Sequence, residues 1–377
     1  MHSPSTLTAI AIYCALAIDS LALVISAVNA LSMRVIKPNP DVVIANAVSI
    51  LIPMRNEEIN ATAVLESARA TTGCTDLQIV VLDDNSDDAT AKLLQKFTND
   101  QKITVQNGNT LPLGWLGKNY ACHQLAATQE ARSSDYLVFL DADVRLHPHA
   151  IASSITQMQQ HNWDFLSPYP RQIAITVLEK LFQPLLQWSF ISSLPLRLAE
   201  KLRFSSMVVA NGQFFVVKRS AYEKSGGHHA IKSEVLDDLE LARLLTRSGF
   251  HGVVADGSAI VRCRMYSNKA EIFAGYRKSL WKAFGNPLSA LCLGLFLVIG
   301  GVLPLIVAGC ATAHLWPLAL IAYGEVVVSR IITALRTRSE PLVSLLHSIS
   351  MLLFIYLLIT SWTGKANGQL TWRGRKI

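Results

Sequence analysis

Leu7 to Met33 is an almost unbroken apolar run, longer than the ~20 residues that cross a hydrocarbon layer, and three more runs, Leu288 to Cys310, Leu315 to Val328 and Val343 to Trp362, lie near the other end. A chain arranged this way carries a polar middle between lipid-embedded ends. Composition agrees, because 51% hydrophobic residues, 16% charged residues and a mean hydropathy of +0.32 exceed what a soluble domain usually holds. No Lys or Arg precedes the first run, so it is expected to be an anchor rather than a cleaved signal peptide. Arg34 and Lys37 follow it directly, which by the positive-inside rule puts the next region in the cytoplasm. At the other end the rule conflicts with itself. Arg330, Arg336 and Arg338 point to a cytoplasmic loop, and Lys365, Arg373, Arg375 and Lys376 to a cytoplasmic tail, yet a single crossing by Val343 to Trp362 separates the two. Asp19, alone in the first run, has no evident role.

The expected organisation is a membrane anchor over 1–36, a water-facing domain over 37–286 with interfacial helices near 173–207, membrane segments over 287–364, and a basic tail over 365–377. The interfacial stretch is rich in Leu, Phe, Trp and Ile and reads as broken by Pro184 and Pro195; ordinary helices packed on a sheet have the same spacing. The net charge of +7 comes from dispersed basic residues with no dense run interleaved with aromatics. That argues against nucleic acid and for anionic headgroups and nucleotide phosphates. Six widely spaced cysteines with no C-x-x-C pair suggest neither a disulfide framework nor a zinc site.

Residues 47–265 hold every acidic cluster and alternate β-branched runs with helical patterns, the signature of βαβ units around a mostly parallel sheet. Strands are expected at Ala47–Ile52, Leu77–Leu82, Lys102–Gln106 and Tyr136–Leu140. The first, second and fourth end abruptly in polar residues. Loops beyond the carboxyl ends of such strands form the ligand crevice of open α/β sheets.

Asp141-Ala142-Asp143 follows the last of these strands; in an extended segment residues i and i+2 point the same way, so the two carboxylates either face one pocket as hard oxygens for Mg²⁺ or Mn²⁺ or are the solvated acids of a loop. Asp83 and Asp84 end the second strand, where carboxylates either accept hydrogen bonds from a nucleobase and ribose or serve the local turn. Ser86, Asp87 and Asp88 read as caps for a helix starting near Ala89. Pro53 to Glu58 either wraps a nucleotide or forms a capped strand-to-helix turn. Gly114-Trp115-Leu116-Gly117-Lys118-Asn119 is a glycine-bracketed loop opening a helix, suited to an anion or simply to a turn. Leu236 to Arg243 begins an amphipathic helix whose Asp237 and Asp238 are either dipole-stabilising acids or a general base.

Together, P-M-R-N-E-E, D-D-N-S, G-W-L-G-K-N, D-A-D-V and D-D-L-E-L-A, in this order, resemble glycosyltransferase family two, whose members share the GT-A fold. The G-W-x-G-K loop and the closing T-W-R-G-R-K resemble its carotenoid- and hopanoid-associated membrane branch. The resemblance implies a GT-A, Rossmann-like, mostly parallel sheet flanked by helices, with transmembrane helices at both ends. It further implies that Pro53, Arg55, Glu57 and Asp84, beside Asp83, hold the nucleoside, and that Asp141 and Asp143 hold the metal and diphosphate. Lys118 would neutralise phosphate, Asp238 would deprotonate the acceptor, and Asn211, Gly212 and Gln213 would form the acceptor entrance. The family commonly has Glu-Asp where this chain has Asp237-Asp238, so the base is assigned by position. Processive synthases carry Gln-x-x-Arg-Trp; here Tyr276 to Trp281 stands in that region, which implies single-sugar transfer, and Arg277, Lys278 and Trp281 either close on the diphosphate or snorkel beside the membrane.

The activity this implies is inverting, metal-dependent transfer of one sugar from a nucleotide diphosphate sugar, expected to be a UDP-sugar, to a membrane lipid alcohol such as a hydroxylated carotenoid or another isoprenoid. The enzyme would be multi-pass in the cell membrane, with its catalytic domain facing the cytoplasm. A polyprenyl-phosphate or glycerolipid acceptor and a non-catalytic scaffold are the alternatives. Transport is disfavoured by the lack of an internal repeat and of intramembrane charge beyond Asp19, and a dehydrogenase by the lack of any G-x-G-x-x-G after a strand.

Overall fold

The computed structural model describes residues 6–310, 315–372 and 375–376, with no side chain described from 372 onward; Arg373 of the topology argument lies outside the described residues, as do the side chains of Arg375 and Lys376. The chain divides into two compact units, one made of Arg34–Ile173 and Ala199–Met265, the other of the residues up to Met33, Ala174–Leu198 and those from Tyr266 onward. Residues 174–198 and 266–286 therefore cluster with the apolar helices rather than with the sheet that flanks them in sequence.

The first unit has ten strands: β1 (Ile44–Met54), β2 (Cys74–Asp83), β3 (Ile103–Asn107), β4 (Tyr136–Leu140), β5 (Val144–Leu146), β6 (Phe165–Tyr169), β7 (Arg171–Gln172), β8 (Phe214–Lys218), β9 (Gly252–Asp256) and β10 (Val261–Cys263). Seven form the main sheet in the order β3-β2-β1-β4-β8-β6-β9, and β5, β10 and β7 form a small second sheet. Only β8 runs against its neighbours in the main sheet. Every residue of β4 is buried, as expected of a strand covered on both faces. Alternation splits β1, so that Ile50 and Ile52 join the core with helices Ala61–Arg69 and Ala150–His161, while Leu51 joins the opposite core with helices Gly117–Ala126 and Asp237–Arg247. Large side chains such as Trp163, Phe165, Phe214 and Phe215 are fully buried there, each stabilising the unit by roughly 1.5–3 kcal/mol.

This topology sets up one functional edge. β1, β2 and β4 are parallel and end together, and because β8 is reversed, the residues leading into it, 211–213, meet the same edge.

Among its described residues the second unit holds four helices long and apolar enough to cross a membrane: Thr6–Ser32, Pro287–Gly309, Trp316–Thr337 and Leu342–Ala366. Two sequence expectations change here. Helix Trp316–Thr337 does not stop at Arg330; that residue is 3% exposed, with its guanidinium facing His347 Nδ1 at 3.5 Å, while Arg336 donates to the carbonyls of Ala30 and Met33. Both arginines thus lie on the helix and only Arg338 ends it, so charge alone misplaced the loop. Likewise Pro184 does not break helix Val177–Ser193, which runs through it and ends before Pro195. Asn29 secures that end, its amide donating to the carbonyls of Ile191 (2.8 Å) and Leu194 (2.6 Å) and accepting from the Leu196 N–H (3.0 Å).

Candidate active site

Pro53 closes β1, Asp141 follows β4, Gly212 precedes β8, and Lys118 and Asp238 sit in the first turns of helices Gly117–Ala126 and Asp237–Arg247; these five, with Cys122, His228 and Asp237, line one pocket at the functional edge. Lys118 is its electrostatic centre. Nζ lies 2.8 Å from Asp141 Oδ1 and 3.3 Å from Asp237 Oδ2. Burial opposes the ammonium charge, but Asp141 and Asp237 outweigh it and hold Lys118 well above the usual lysine range.

Asp238 is fixed from two sides, accepting the Gly212 N–H at 2.7 Å on Oδ2 and the Leu239 N–H at 2.8 Å on Oδ1. Burial and the neighbouring Asp237 raise its pKa to about 6, with Lys118 and the two N–H groups pulling it back. Glycine at 212 leaves room for this contact, because a Cβ there would stand 3.0 Å from the Asp238 Cβ and would push that side chain aside by a few tenths of an ångström. Asn211 and Gln213 are committed nearby. Asn211 exchanges backbone hydrogen bonds with Ser167 Oγ (2.8 and 3.1 Å), and Gln213 Oε1 accepts from Gln172 (2.7 Å).

Asp141 and Asp143 are not in an extended segment. They occupy a tight turn between β4 and β5, closed by the Val144 N–H to the Asp141 carbonyl, and Arg145 clamps it through the carbonyls of Ala142 (2.8 Å) and Val144 (2.7 Å). A turn still brings the carboxylates near each other: burial, then Asp141 and Glu57, push Asp143 up to about 7.

The remaining expected residues are stitched into a shell behind this edge. Arg55 donates to the carbonyls of Asp84 (2.6 Å) and Asn85 (2.8 Å) and reaches Asp87, and Glu57 takes a bond from Asn60 (3.0 Å) while its N–H donates to Thr90 (2.8 Å). Asp83 closes its own loop by accepting from Ser86 N–H and Oγ, and Asp84 is 3% exposed. Ser86 and Asp87 do not cap the following helix, Thr90–Leu94; Asp88 accepts the Thr90 N–H at 2.9 Å instead. Arg277, Lys278 and Trp281 belong to the other unit, on helix Lys269–Ala283, where Lys365 Nζ lies 4.2 Å from the Trp281 ring centroid.

Residues 49–226, which carry Pro53, Lys118, Cys122, Asp141, Asp143 and Gly212 but neither His228 nor the Asp237–Asp238 helix, match the family model for glycosyl transferase family 2. They are a family 2 glycosyltransferase domain. The chain is also 28% identical over 224 residues to a 4,4'-diaponeurosporenoate glycosyltransferase of Staphylococcus haemolyticus, an alignment spanning 58% of this chain and 57% of that one, so it covers little more than half of that relative's length. Its structure is similar to that of the mannosyltransferase PcManGT from Pyrobaculum calidifontis in complex with GDP-Man and Mn²⁺, with a TM-score of 0.56 at 18% identity, over 96% of this chain and 99% of that one. The glycosyltransferase domain accordingly has the GT-A fold, with apolar helices long enough to cross a membrane on both sides of it in sequence.

Sequence reasoning about this domain missed His228, Cys122 and Arg145. His228 had a detectable signal in Gly226-Gly227, since both glycines adopt positive φ and a Cβ on Gly227 would lie 2.4 Å from the Tyr222 ring, which fixes where the next side chain goes.

Proposed function

We propose that the chain transfers one sugar, with inversion, from a nucleotide diphosphate sugar to a membrane lipid alcohol. The observation that carries this reading is the convergence of Lys118, Asp141, Asp237 and Asp238 from three separate sequence segments on one pocket at the strand ends. Asp238 is suited to general-base work: with a pKa near 6 it is largely ionised at neutral pH yet still basic enough to take the acceptor hydroxyl proton in the transition state. Gly212 N–H aims the carboxylate, and Lys118 supplies fixed positive charge for a departing diphosphate.

Asp141 and Asp143 fit a divalent cation. Asp143 Oδ1 is buried with no hydrogen-bond partner among the described residues, and Asp141 and Glu57 add negative charge around it, an arrangement a cation would relieve. No three His, Cys, Asp or Glu side chains among the described residues are grouped so as to hold a metal, so Asp141 and Asp143 would hold the cation only together with groups the substrate brings. When bound, the cation would supply charge compensation for the leaving diphosphate. Pro53, Arg55, Glu57, Asp83 and Asp84 would shape the nucleoside side of the pocket, Arg55 as a donor and Asp83 as an acceptor that each hold loops in place. Asn211 and Gln213 would border the acceptor.

Four helices long and apolar enough to cross a membrane and the name of the Staphylococcus relative together support a lipid acceptor, and a hydroxylated carotenoid or other isoprenoid alcohol is our first choice. Arg34 and Lys37, directly after the first helix, support a cytoplasmic catalytic domain. UDP-sugars and GDP-mannose are the donors to try first. The test is to incubate the detergent-purified protein with Mn²⁺, a panel of UDP- and GDP-sugars and a lipid extract of the host, then to search by mass spectrometry for a hexose or deoxyhexose increment. We expect an increment that Asp238→Asn abolishes; no increment with any donor, or an equal one from the variant, overturns the reading.

A further inference from the structure

His228 is 3% exposed, lines the pocket, and is used by nothing in the mechanism above. Its backbone N–H donates to the Tyr222 hydroxyl at 3.1 Å, and the same hydroxyl lies 2.9 Å from Nδ1. The hydroxyl oxygen is therefore already an acceptor, and its own proton has Nδ1 as its one acceptor among the described residues. Tyr222 donates to Nδ1, which leaves the ring proton on Nε2. The imidazole is neutral: burial lowers its pKa to about 4, and Asp237 offsets only part of that. The ring plane is held as well, packed edge-on against Phe139 at 4.8 Å between centroids. Gly227 completes the arrangement by letting the backbone pass against the Tyr222 ring. Nε2–H is thus a donor of fixed direction and fixed tautomer, with no hydrogen-bond partner among the described residues, in a pocket whose other polar side chains are the Lys118 ammonium, the Cys122 thiol and the carboxylates of Asp141, Asp237 and Asp238.

We infer that His228 Nε2–H donates a hydrogen bond to a hydroxyl of the donor sugar and so helps to decide which sugar the pocket accepts. The inference rests on the nucleotide-sugar reading of the same pocket. A hydroxyl both donates and accepts, so it matches a neutral N–H beside the carboxylates of Asp237 and Asp238 better than a diphosphate oxygen does, for which Lys118 is the stronger partner. Tyr222 acts through His228 as a positioning residue.

The experiment is a binding titration of the full chain in detergent with Mn²⁺, comparing UDP-glucose with UDP and GDP-mannose with GDP. In the wild type one sugar nucleotide binds more tightly than its bare diphosphate. His228→Leu should weaken that sugar nucleotide on the order of three- to tenfold and leave the bare diphosphate unchanged, and His228→Gln, whose amide can reach the Nε2 position, should restore much of the difference. Equal weakening of both ligands, or of neither, overturns the inference. Monodeoxy analogues of the tighter donor give a second measure in the wild type itself, which does not depend on any variant folding: removal of one hydroxyl should cost the same three- to tenfold, and indifference to all of them also overturns it. If no sugar nucleotide and no bare diphosphate binds to the wild type, the failure lies with the nucleotide-sugar reading and the inference falls with it.

Discussion

Burial and Asp237 raise the Asp238 carboxyl to about 6, and this affects both activity and stability. With Asp238 as base, kcat/KM should rise with pH through an acid limb near 6 and be flat above it, as a pH–rate profile would report. Asp238→Asn should keep substrate binding and lose turnover on the order of 10²- to 10⁴-fold, measured as initial rates under saturating donor. Stability moves the other way. A carboxyl whose folded pKa lies above its unfolded value near 3.8 gives stability that is full below that value and is lost as pH rises through 6. Between pH 4 and pH 7.5 the wild type should therefore lose up to ~2 kcal/mol more stability than Asp238→Asn, whose amide keeps only one of the two N–H bonds at either pH, less than full linkage because the group still meets an open pocket. Gly212→Ala tests the aiming N–H. The added Cβ, 3.0 Å from that of Asp238, should move the carboxylate and lower kcat about tenfold or more while the donor KM changes little. At this scale the sequence displayed the acids but not their partners. Asp238 was legible from its place in an ordered set of motifs, whereas the bond to Gly212 joins residues 26 positions apart and depends on β8 being reversed.

Among elements, the strands that ended in polar residues were readable because β1, β2 and β4 are buried on both faces and so appear as apolar runs with abrupt ends. β6 and β8 were not picked out. Pro168 interrupts the first, and the second runs Phe-Phe-Val-Val into Lys218, five residues without a turn signal peculiar to an antiparallel insertion. The turn holding Asp141 and Asp143 was misread as extended, since i and i+2 alternation says nothing about the Val144 and Arg145 contacts that close it. That turn carries the metal prediction. Mn²⁺ at about 100-fold its Kd should stabilise the wild type by roughly 2.7 kcal/mol in a thermal melt, reversibly with EDTA, and should do so far less in Asp143→Asn, which removes one of the two carboxylates. In the helical unit, Asn29 joins two elements by three bonds. Asn29→Ala should strand the carbonyls of Ile191 and Leu194 and the Leu196 N–H, costing about 2–4 kcal/mol and several degrees of melting temperature in detergent.

Across the whole molecule, hydropathy located all four apolar helices but misjudged where one of them ends. A buried arginine looks in sequence like a loop residue, and only the neighbouring helix that supplies His347 reveals Arg330 as interior. Asp19 has the same explanation. It is 2% exposed with Gly300 beside its carboxylate, while Ser20 next to it bonds Glu325 at 2.8 Å, so a second acid lies within the helices and the first run is not marked by a lone exception. With four such helices the protein should stay in the pellet through an alkaline carbonate wash and be released only by detergent, as immunoblotting of the fractions would show.

The two units exchange the chain at 33–34, 173–174, 198–199 and 265–266, so neither is a continuous stretch of the gene. Anyone seeking a water-soluble version by trimming will find that cutting both termini still leaves an internal greasy helix, within 174–198, whose partners have been cut away. A soluble form calls for splicing a polar bridge in place of that insert, and the same arrangement means that a frameshift or early stop anywhere after position 265 leaves behind a half-built fold rather than a free enzyme.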